Sequence, residues 1–307
     1  TYSMPEWIVD LWIGQFGQET TTAMLQGLLQ ERPVTIRMRT EDEKAVEALL
    51  ADLEKQGGTL RRHPYLPYAY VIGKTDDLTQ LSGFEEGAFV IQDISSMLAV
   101  EALGLPKMDN QGTLKILDIC AAPGGKSMLA ADILNHADID YMLEARDISE
   151  YKVELMQENF NRCHLNKAKA VAWDALEPDE RWLGQADVVI ADIPCSGLGV
   201  IGRKRDIKYK MTPQAVQDIV ELQEKILKVA ASYVKKGGKL LFSTCTVNKD
   251  ENEAHVKWIQ DTLKMTPVSL KGTLPGLVHS PTTQQGFVQL IPGMQDTDGF
   301  FISVFEK

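Results

Sequence analysis

Short apolar runs and helix-like patterns alternate along most of the chain after about residue 88. Apolar runs of strand length occur at 115–120, 140–145, 168–173, 186–191 and 239–243. Between them, apolar residues recur at spacings of three and four over 127–134, 150–162 and a longer segment that begins at Thr212. We expect Gly237 and Gly238 to end this last helix. The alternation predicts an α/β fold with a mostly parallel, doubly wound sheet that helices cover on both faces.

The two ends of the chain do not follow this alternation. Strand-like runs at 287–291 and 300–305 are joined by a turn that contains Pro-Gly, which predicts a C-terminal antiparallel hairpin at the sheet edge. At the other end, the pattern indicates a helix around 7–16, a strand at 34–38, a helix at 41–56 and strands at 59–63 and 70–72. We therefore expect two domains, a small α+β module at 1–82 and an α/β domain at 83–307.

The composition is that of an ordinary globular protein. Hydrophobic residues make up 44% of the 307 residues and charged residues 24%, which excludes a disordered, collagen-like or coiled-coil chain. No run of 18 apolar residues occurs, and the first residues lack the basic and apolar regions of a signal peptide. These features predict a soluble, cytoplasmic protein with no membrane partner, and a monomer by default. Because the sequence does not begin with Met, we also expect it to be part of a longer chain.

Net charge limits how this protein approaches a polyanion. With 32 Lys and Arg against 43 Asp and Glu, the formal net charge of −11 opposes indiscriminate binding to nucleic acid. The local exception is a cationic stretch that contains Arg203, Lys204, Arg205, Lys208 and Lys210. By itself such a stretch is typical of a solvated loop, so its meaning depends on the motifs beside it.

Four cysteines are spread widely, at positions 120, 163, 195 and 245. They form no CxxC pair, which argues against a zinc site and a disulfide framework, and we predict no metal. Cys195 and Cys245 each follow a predicted strand, where the ligand crevice of an open α/β sheet lies. Two thiols that reach one crevice indicate thiolate chemistry. We assign Cys163 to packing.

A small-residue turn and three carboxylates also fall at predicted strand ends. The turn after the first strand of the α/β domain consists of Cys120, Ala121, Ala122, Pro123, Gly124, Gly125 and Lys126. Such a turn lets a cofactor approach backbone N–H groups, but it is neither GxGxxG nor a P-loop, which disfavours a dinucleotide or triphosphate. Asp147, Asp174 and Asp192 end the next three strands. Each alone is typical of a helix cap or turn, but the set favours a nucleoside-shaped site.

Several motifs together resemble one enzyme family. They are the stretch 116–127 around that turn, the segment Asp192-Ile193-Pro194-Cys195-Ser196-Gly197, the pair Thr244-Cys245 and the triplet Glu251-Asn252-Glu253. Shorter matches lie at 92–96, 206–208 and 298–301. The set resembles the RNA 5-methylcytosine methyltransferases of the NOL/NOP2/Sun group, above all the bacterial RsmB (Fmu or Sun) type, over essentially the whole chain. The sequence departs from that type at Ile193 and Arg146, and in lacking its N-terminal NusB-like domain.

The resemblance implies a Rossmann-like class I methyltransferase that uses S-adenosyl-L-methionine to methylate cytosine C5 in RNA, which is 16S ribosomal RNA for the RsmB type. It implies that the module at 1–82 is RNA-recognition-like. By this resemblance Cys245 attacks C6 of the base, Cys195 assists release and Asp192 holds the base edge. Lys126 is implied at the cofactor end of the pocket, beside the methionine portion and the target base. The implied cofactor site consists of the turn 120–126 together with Asp147, Asp174 and Asp192.

Cytosine chemistry explains why a thiol is needed. C5 becomes nucleophilic only after a group adds to C6, and a thiolate both adds readily and leaves again. Chemistry alone leaves the roles of the two thiols open, because DNA cytosine methyltransferases attack with the cysteine of a Pro-Cys motif. The target base must also be unpaired or flipped out of a duplex. We expect the cationic stretch to contact flanking RNA phosphates through Arg203, Lys204, Arg205 and Lys208.

Two other functions remain open from the residues. The first is a class I methyltransferase that acts on an exocyclic amine of a nucleic acid, because Asp192-Ile193-Pro194-Cys195 faintly resembles a DPPY-type loop. Chemistry of that kind needs no thiol. The second is a catalytically silent rRNA-binding assembly factor, which has no need to retain both thiols and all three strand-end carboxylates.

Overall fold

The computed structural model describes residues 2–30, 33–39, 42–73, 77–108, 112–274, 277 and 280–307. The first part contains α1 (Glu6–Leu29), β1 (Val34–Met38), α2 (Glu43–Lys55), β2 (Thr59–Arg62), β3 (Ala69–Gly73), β4 (Phe89–Ile91) and α3 (Ile94–Glu101). The larger part contains β5 (Leu114–Asp118), α4 (Gly125–His136), β6 (Tyr141–Asp147), α5 (Glu150–Arg162), β7 (Ala168–Ala172), β8 (Ala186–Asp192), α6 (Ile207–Lys210), α7 (Pro213–Tyr233), β9 (Val234–Thr244), α8 (Glu253–Trp258), β10 (Thr266–Pro267), β11 (Phe287–Leu290) and β12 (Phe300–Glu306). Position 41, the predicted start of the second helix, lies outside the described residues.

The first four strands form a small antiparallel sheet in the order β2-β3-β1-β4. Helix α2 follows its cap residue Asp42, whose side chain accepts a hydrogen bond from Lys44 N at 3.0 Å. The apolar face of α2 puts Leu49 and Leu53 into a core with Ile36 of β1. β4 pairs with β1 in this sheet, although it follows residue 82, where the sequence analysis divides the chain.

The long helix α1 packs against the larger part of the molecule. Trp12 is buried in a cluster with Leu198 and Val247, which lie in the loops after β8 and β9. The side-chain amide of Gln15 donates to Asn248 Oδ1 at 2.8 Å. The sequence predicts a helix here but not this contact, because the residues that α1 touches are far away along the chain.

The larger sheet has the strand order β10-β12-β9-β8-β5-β6-β7, with β11 paired to β12. The strands from β5 to β9 run parallel to their neighbours, and β12 runs antiparallel to β9. This arrangement confirms the predicted mostly parallel sheet with a C-terminal antiparallel hairpin. Val188, Val189 and Ile190 of β8 are fully buried, as expected for a central strand that is covered on both faces.

Helix α7 ends earlier than the sequence analysis predicts. Its cap Thr212 is as expected, but the helix stops at Tyr233, before the predicted end at Gly237 and Gly238. Both glycines lie inside β9, whose register against β8 shifts at this point. Gly237 has a φ of 75°, which permits the irregular backbone there. The glycines therefore shape a strand rather than ending a helix.

No helix in the described part of the chain is long and apolar enough to span a membrane. Among those same residues, no group of three His, Cys, Asp or Glu side chains is arranged to hold a metal ion. The residues predicted to form the catalytic and cofactor sites lie at, or just after, the carboxyl ends of the strands from β5 to β9.

Candidate active site

The two motif cysteines meet at the carboxyl end of the larger sheet. β8 and β9 are parallel neighbours, so the loops that carry Cys195 and Cys245 start side by side. The Sγ atoms of the two residues are 3.3 Å apart, within hydrogen-bonding distance for sulfur. The fold thus brings together two thiols that are 50 positions apart in sequence.

The hydrogen bond between the thiols makes them unequal. Accepting this bond lowers the pKa of Cys245 below its ordinary value, and the ammonium groups of Lys126 and Lys204 lower it further against the effects of burial and Asp192. Donating the bond raises the pKa of Cys195 well above its ordinary value, and burial adds to the rise. These directions favour Cys245 as the thiolate and Cys195 as the hydrogen-bond donor.

An ion pair lies beside the thiols. Lys126, in the first turn of α4, places Nζ 2.6 Å from Asp192 Oδ2 and 3.2 Å from Ser96 Oγ. Ser243 Oγ donates to the other carboxylate oxygen, Asp192 Oδ1, at 2.7 Å. Nζ of Lys126 also lies 5.3 Å from the centroid of the Phe300 ring. These contacts fix a carboxylate and an ammonium group at the strand end from which the Cys195 loop starts.

A cavity of about 350 Å³ lies between the small sheet and the larger one. Its walls include Asp192, Lys204, Cys245 and Phe300 from the larger part and Thr35 from β1. This volume falls in the range of small-molecule sites. Cys245 lines the cavity whereas Cys195 does not, so a group bound there meets the sulfur of Cys245.

Buried hydrogen bonds fix the turn that carries Cys245. Thr244 Oγ1 donates to Asn252 Oδ1 at 2.6 Å, and the Asn252 amide donates to Thr246 O at 3.0 Å. One side chain therefore holds the residues on both sides of the cysteine. The sequence analysis includes Asn252 only as part of a motif, because no local pattern relates it to the cysteine turn.

Close backbone contacts join the two cysteine loops to the C-terminal hairpin. Gly199 N donates to Cys245 O at 3.1 Å, and Gly299 N donates to Gly199 O at 2.9 Å. A Cβ atom on Gly199 would lie 2.2 Å from Gly299 O, so glycine is required at this position. The sequence analysis missed Gly199, although its place just after the Pro-Cys motif is a signal for a close backbone approach.

The turn between β5 and α4 has the tight backbone that lets a ligand approach its N–H groups. Gly124 precedes α4 with a φ of 96°, and Ala121 N donates to Arg146 O at 2.7 Å, which fastens the turn to β6. Asp118, at the end of β5, is inaccessible to solvent and accepts a hydrogen bond from Ser127 Oγ at 2.7 Å. Burial raises the pKa of Asp118 to about 7, against the opposing effect of that hydrogen bond.

Two predicted cofactor carboxylates lie further along the same edge. Asp147 ends β6, is largely buried, and accepts a hydrogen bond from Ser149 N at 3.1 Å. Asp174 lies two residues beyond β7 and accepts one from Leu176 N at 2.9 Å. A carboxylate accepts several hydrogen bonds at once, so both retain capacity for hydroxyl or amino donors. Together with the N–H groups at the start of α4, this donor and acceptor set fits a nucleoside that carries an amino acid.

The other two cysteines are held as thiols. Burial raises the pKa of Cys120 and of Cys163 above the ordinary value. Cys120 contributes to the cofactor turn, whereas Cys163 packs in the main core, as predicted from its place after a helix. Neither has the hydrogen-bonded partner thiol that distinguishes Cys245.

Arg146, an unusual residue for the resembling family, is a buried structural cation. Its guanidinium lies 2.5 Å from both Glu144 Oε1 and Asp179 Oδ2, and 4.9 Å from the centroid of the Trp173 ring. Because Trp173 directly precedes Asp174, Arg146 joins the ends of β6 and β7 beside Asp147 and Asp174.

Part of the cationic stretch is bonded within the protein. Arg203 Nε donates to Asp298, and its Nη2 lies 3.2 Å from Asp93 Oδ2. Lys208 Nζ donates to Ser3 O at 2.5 Å. The predicted phosphate contacts of Arg203 and Lys208 would therefore compete with existing bonds.

The rest of the cationic stretch faces solvent. Lys204 and Arg205 are exposed, and Lys204 also lines the cavity that Cys245 lines. Lys204 is the better placed of the predicted phosphate contacts, because it lines the cavity without the ion pairs that hold Arg203, and the exposed Arg205 follows it directly in the chain.

Fold and site together define a class I methyltransferase in which two cysteines share one crevice. Family comparison agrees: residues 105–306 match the family described as 16S rRNA methyltransferase RsmB/F, and residues 4–79 match the ferredoxin-like domain of RsmF/B-like methyltransferases. The chain belongs to the RsmB/F family of 16S rRNA methyltransferases. The small N-terminal sheet with its helices is accordingly a ferredoxin-like domain.

Individual relatives extend the match over the whole chain. The probable ribosomal RNA small subunit methyltransferase B of Bacillus subtilis (strain 168) is 34% identical over 312 residues, which cover 99% of this chain and 66% of that protein. The protein of the same name from a Synechocystis species is 30% identical over 310 residues, or 100% and 67%. The chain thus spans about two thirds of the length of these relatives. The crystal structure of NSun6 from Pyrococcus horikoshii with SFG has the same fold, with a TM-score of 0.80 at 22% identity over 99% of this chain and 98% of that one.

Proposed function

We propose that this chain transfers a methyl group from S-adenosyl-L-methionine to C5 of a cytosine in small-subunit ribosomal RNA, through a temporary bond between Cys245 and C6. The observation that carries the proposal is that Cys245 lines the cavity with its sulfur 3.3 Å from that of Cys195. Membership of the RsmB/F family supports the substrate class, as do the names of the relatives, which are small subunit methyltransferases.

Cys245 supplies the nucleophile. Because the Cys195 hydrogen bond lowers the pKa of Cys245, a larger fraction of its sulfur is thiolate at neutral pH. The sulfur adds to C6, and the electron pair of the C5–C6 double bond becomes available at C5, which attacks the methyl group. Water then takes the proton from C5, the electron pair of that C–H bond re-forms the C5–C6 double bond, and the S–C6 bond breaks with its electron pair going to sulfur, which restores the thiolate.

Asp192 and Lys126 orient the base. Asp192 accepts a hydrogen bond from the exocyclic amine of cytosine, the donor that distinguishes cytosine from uracil. Lys126 and Ser243 already bind its two oxygens, so the carboxylate is fixed before the base arrives. Positioning of this kind removes much of the entropic cost of bringing C6 to the sulfur.

Cys195 assists the release of the product. It stays protonated 3.3 Å from the sulfur that must leave C6, because its pKa is raised. Donating its hydrogen bond to the departing sulfur stabilises the thiolate as the S–C6 bond breaks.

The turn between β5 and α4 holds the cofactor in this proposal. Backbone N–H groups of Gly124, Gly125 and Lys126 bind its carboxylate, while Asp147 and Asp174 bind its hydroxyl and amino groups. When bound, S-adenosyl-L-methionine supplies a methyl group on a sulfonium, which is a good leaving group. The structural neighbour NSun6 is described with SFG, an analogue of this cofactor.

The RNA must present its cytosine unpaired or flipped, because a base inside a duplex hides C6 from a thiol. Lys204, which lines the cavity, and the exposed Arg205 that follows it contact the phosphates on either side of the target nucleotide. We expect the protein to act in the cytoplasm. We also expect it to act as a monomer, since one copy carries every protein group that the proposed reaction uses.

A methyl-transfer assay on protein-free small-subunit RNA tests the reaction. With labelled S-adenosyl-L-methionine, nucleoside analysis should place the label in 5-methylcytidine, and Cys245→Ser should abolish transfer while leaving cofactor binding intact. Label on an exocyclic amine, with transfer retained in Cys245→Ser, would instead support the amine methyltransferase. The absence of transfer by the intact chain would support the silent assembly factor.

The two cysteine variants separate the roles of the thiols. Cys195→Ala should accumulate a covalent protein–RNA adduct with ordinary RNA on a denaturing gel, because release of the adduct is impaired more than its formation, which is slowed only by the loss of the hydrogen bond to Cys245. Cys245→Ala should form none. The opposite pattern would exchange the two roles.

A further inference from the structure

A buried carboxylate lies directly behind the loop that carries Cys195. Glu251 has no exposed surface, and it binds Ser196, the residue after the cysteine, twice. Ser196 N donates to its Oε2 at 2.8 Å and Ser196 Oγ to its Oε1 at 2.5 Å. Glu251 is therefore bonded to both the backbone and the side chain of the residue that directly follows Cys195.

Every other contact of Glu251 in the described structure also donates to it. Gln223 Nε2 on α7 lies 3.1 Å from Oε2, and Thr246 Oγ1 and Asn248 Nδ2 lie 3.3 Å and 3.2 Å from Oε1. An ionised carboxylate satisfies all five donors, whereas an amide would turn its own N–H₂ against some of them. Burial raises the pKa of Glu251 above its ordinary value, and the hydrogen bonds from Ser196, Asn248 and Gln223 oppose that rise, so these donors are what favours the negative charge at this position.

A neutral histidine keeps Gln223 in the orientation that this arrangement needs. Burial lowers the pKa of His255 to about 4, so its ring is uncharged at neutral pH. His255 Nε2 lies 2.8 Å from Gln223 Oε1, which leaves the Gln223 amide N–H₂ directed to Glu251 and to Pro194 O. The contact adds no positive charge near the thiols.

The charged groups around the thiol pair are divided between its two members. Lys126 and Lys204 act on Cys245, opposed by Asp192, which Lys126 itself neutralises. Glu251 acts on Cys195, where it adds to the effects of the hydrogen bond and of burial. Negative potential on one sulfur and positive potential on the other oppose an even sharing of the proton.

We propose that Glu251 is a positioning residue that keeps the shared proton of the thiol pair on Cys195 and so leaves the negative charge on Cys245. No bond other than the S–H···S hydrogen bond is involved, and Glu251 itself does not exchange a proton. The proposal rests on the proposed function. It explains why Cys245, rather than Cys195, acts as the nucleophile although the two sulfur atoms lie within hydrogen-bonding distance of each other.

Competitive alkylation measures the proposal without RNA or cofactor. Limiting iodoacetamide reacts with thiolates, and peptide mass spectrometry gives the initial rate at each cysteine. In the unmodified chain Cys245 should react at least about tenfold faster than Cys195, the ratio that one pKa unit produces. Glu251→Gln should reduce this ratio by roughly three- to tenfold, while Glu251→Asp, which keeps the charge, should restore most of it.

Glu253→Gln is the matched control. Glu253 lies two positions away and is partly exposed, so this variant should leave the ratio unchanged. A merely structural role for Glu251 would lower the melting temperature of Glu251→Gln without changing the ratio, and that result would overturn the proposal. Should Glu251→Gln fail to fold, the intact chain still decides, because equal reactivity or faster reaction at Cys195 contradicts it. The alkylation assay measures no methyl transfer. A negative alkylation result therefore leaves the proposed function untouched, and a negative methyl-transfer result leaves the measured reactivity ratio untouched.

Discussion

At the scale of one residue, the burial of Asp118 disfavours the ionised form of its side chain. It is inaccessible to solvent, and burial raises its pKa to about 7. An acid whose pKa is raised by folding binds its proton more tightly in the native chain than in the unfolded one. The stability that it contributes is therefore present below the unfolded pKa of about 4 and is lost as the pH rises through about 7.

Replacing Asp118 by Asn should remove this pH dependence. Asn keeps the shape, accepts the Ser127 hydrogen bond and cannot ionise. The free energy of unfolding of Asp118→Asn minus that of the unmodified chain should be larger by about 2–4 kcal/mol near pH 9 than near pH 5, so the variant is relatively more stable at the higher pH. Urea unfolding of the cofactor-free protein measures both values, with the exposed Asp218→Asn as control. An equal difference at both pH values would refute the account of Asp118.

At this scale the sequence predicted reactive groups better than their partners. Cys195, Cys245 and Asp192 follow apolar strands, so the pattern alone places them at one edge of the sheet. Arg203 looks the same as its cationic neighbours in the sequence. Its partners Asp93 and Asp298 are 110 and 95 positions away, and no local pattern connects residues at that separation.

At the scale of an element, the loop between β8 and α7 divides into an anchored and an exposed part. Arg203 is anchored by two ion pairs, while Lys204 and Arg205 are exposed. Replacing both Lys204 and Arg205 by Glu should weaken RNA binding and reduce the slope of log affinity against log salt by about one to two, since each lost phosphate contact contributes about 0.7.

Arg203→Ala is the informative comparison for that double variant. It should lower the methyl-transfer rate, because the cavity wall loses its ties to Asp93 and Asp298, but it should leave the salt slope unchanged. Filter binding over a range of salt concentrations measures both slopes. An unchanged slope in the double variant would place the RNA elsewhere on the surface.

Starts of elements could be predicted more closely than their ends. The cap Thr212 and the Pro at the first position of α7 are local signals, and the helix begins where they indicate. Its end depends on Val234, which leaves the helix to pair with Ala186 of β8. A pairing between separate elements is decided by tertiary structure, so the glycines further along the chain indicated the wrong boundary.

At the scale of the whole molecule, a buried carboxylate is one of the contacts that attach the ferredoxin-like domain to the catalytic part. Asp132 on α4 binds Arg37 Nη1 at 2.5 Å and Arg39 Nη2 at 2.7 Å, and both arginines come from β1 or the residue after it. α4 also carries Lys126, and the cavity beside Cys245 has walls from both parts. Docking of the two parts therefore completes the site.

Asp132→Ala should destabilise the protein by about 3–5 kcal/mol, because it leaves buried guanidinium groups without their counter-charge. Urea unfolding measures this loss. The exposed pair of Asp206 with Lys210 provides the control, since Asp206→Ala should cost no more than about 1 kcal/mol. Equal effects of the two variants would show that Asp132 does not hold the parts together.

The sequence predicted two parts but not how they are assembled. Apolar periodicity defines each element, and the change in pattern separates a small α+β unit from the α/β repeat. The docking residues Arg37, Arg39 and Asp132 carry no signal of their own, because a charged residue in a strand or helix is normally exposed. The packing of α1 on the cysteine loops could not be predicted from the sequence either, because only the finished fold brings α1 and the residues that it contacts together.

The central claim is that the sulfur of Cys245 forms the bond to the base. RNA that contains 5-fluorocytidine tests it most directly, because fluorine at C5 cannot leave as a proton and the adduct persists after methyl transfer. Incubation with S-adenosyl-L-methionine, digestion and mass spectrometry identify the peptide that carries the nucleotide. We predict the peptide that contains Cys245, and none in Cys245→Ala. Attachment at Cys195, or methylation of ordinary RNA by protein that forms no adduct with the fluorinated RNA, would contradict the account.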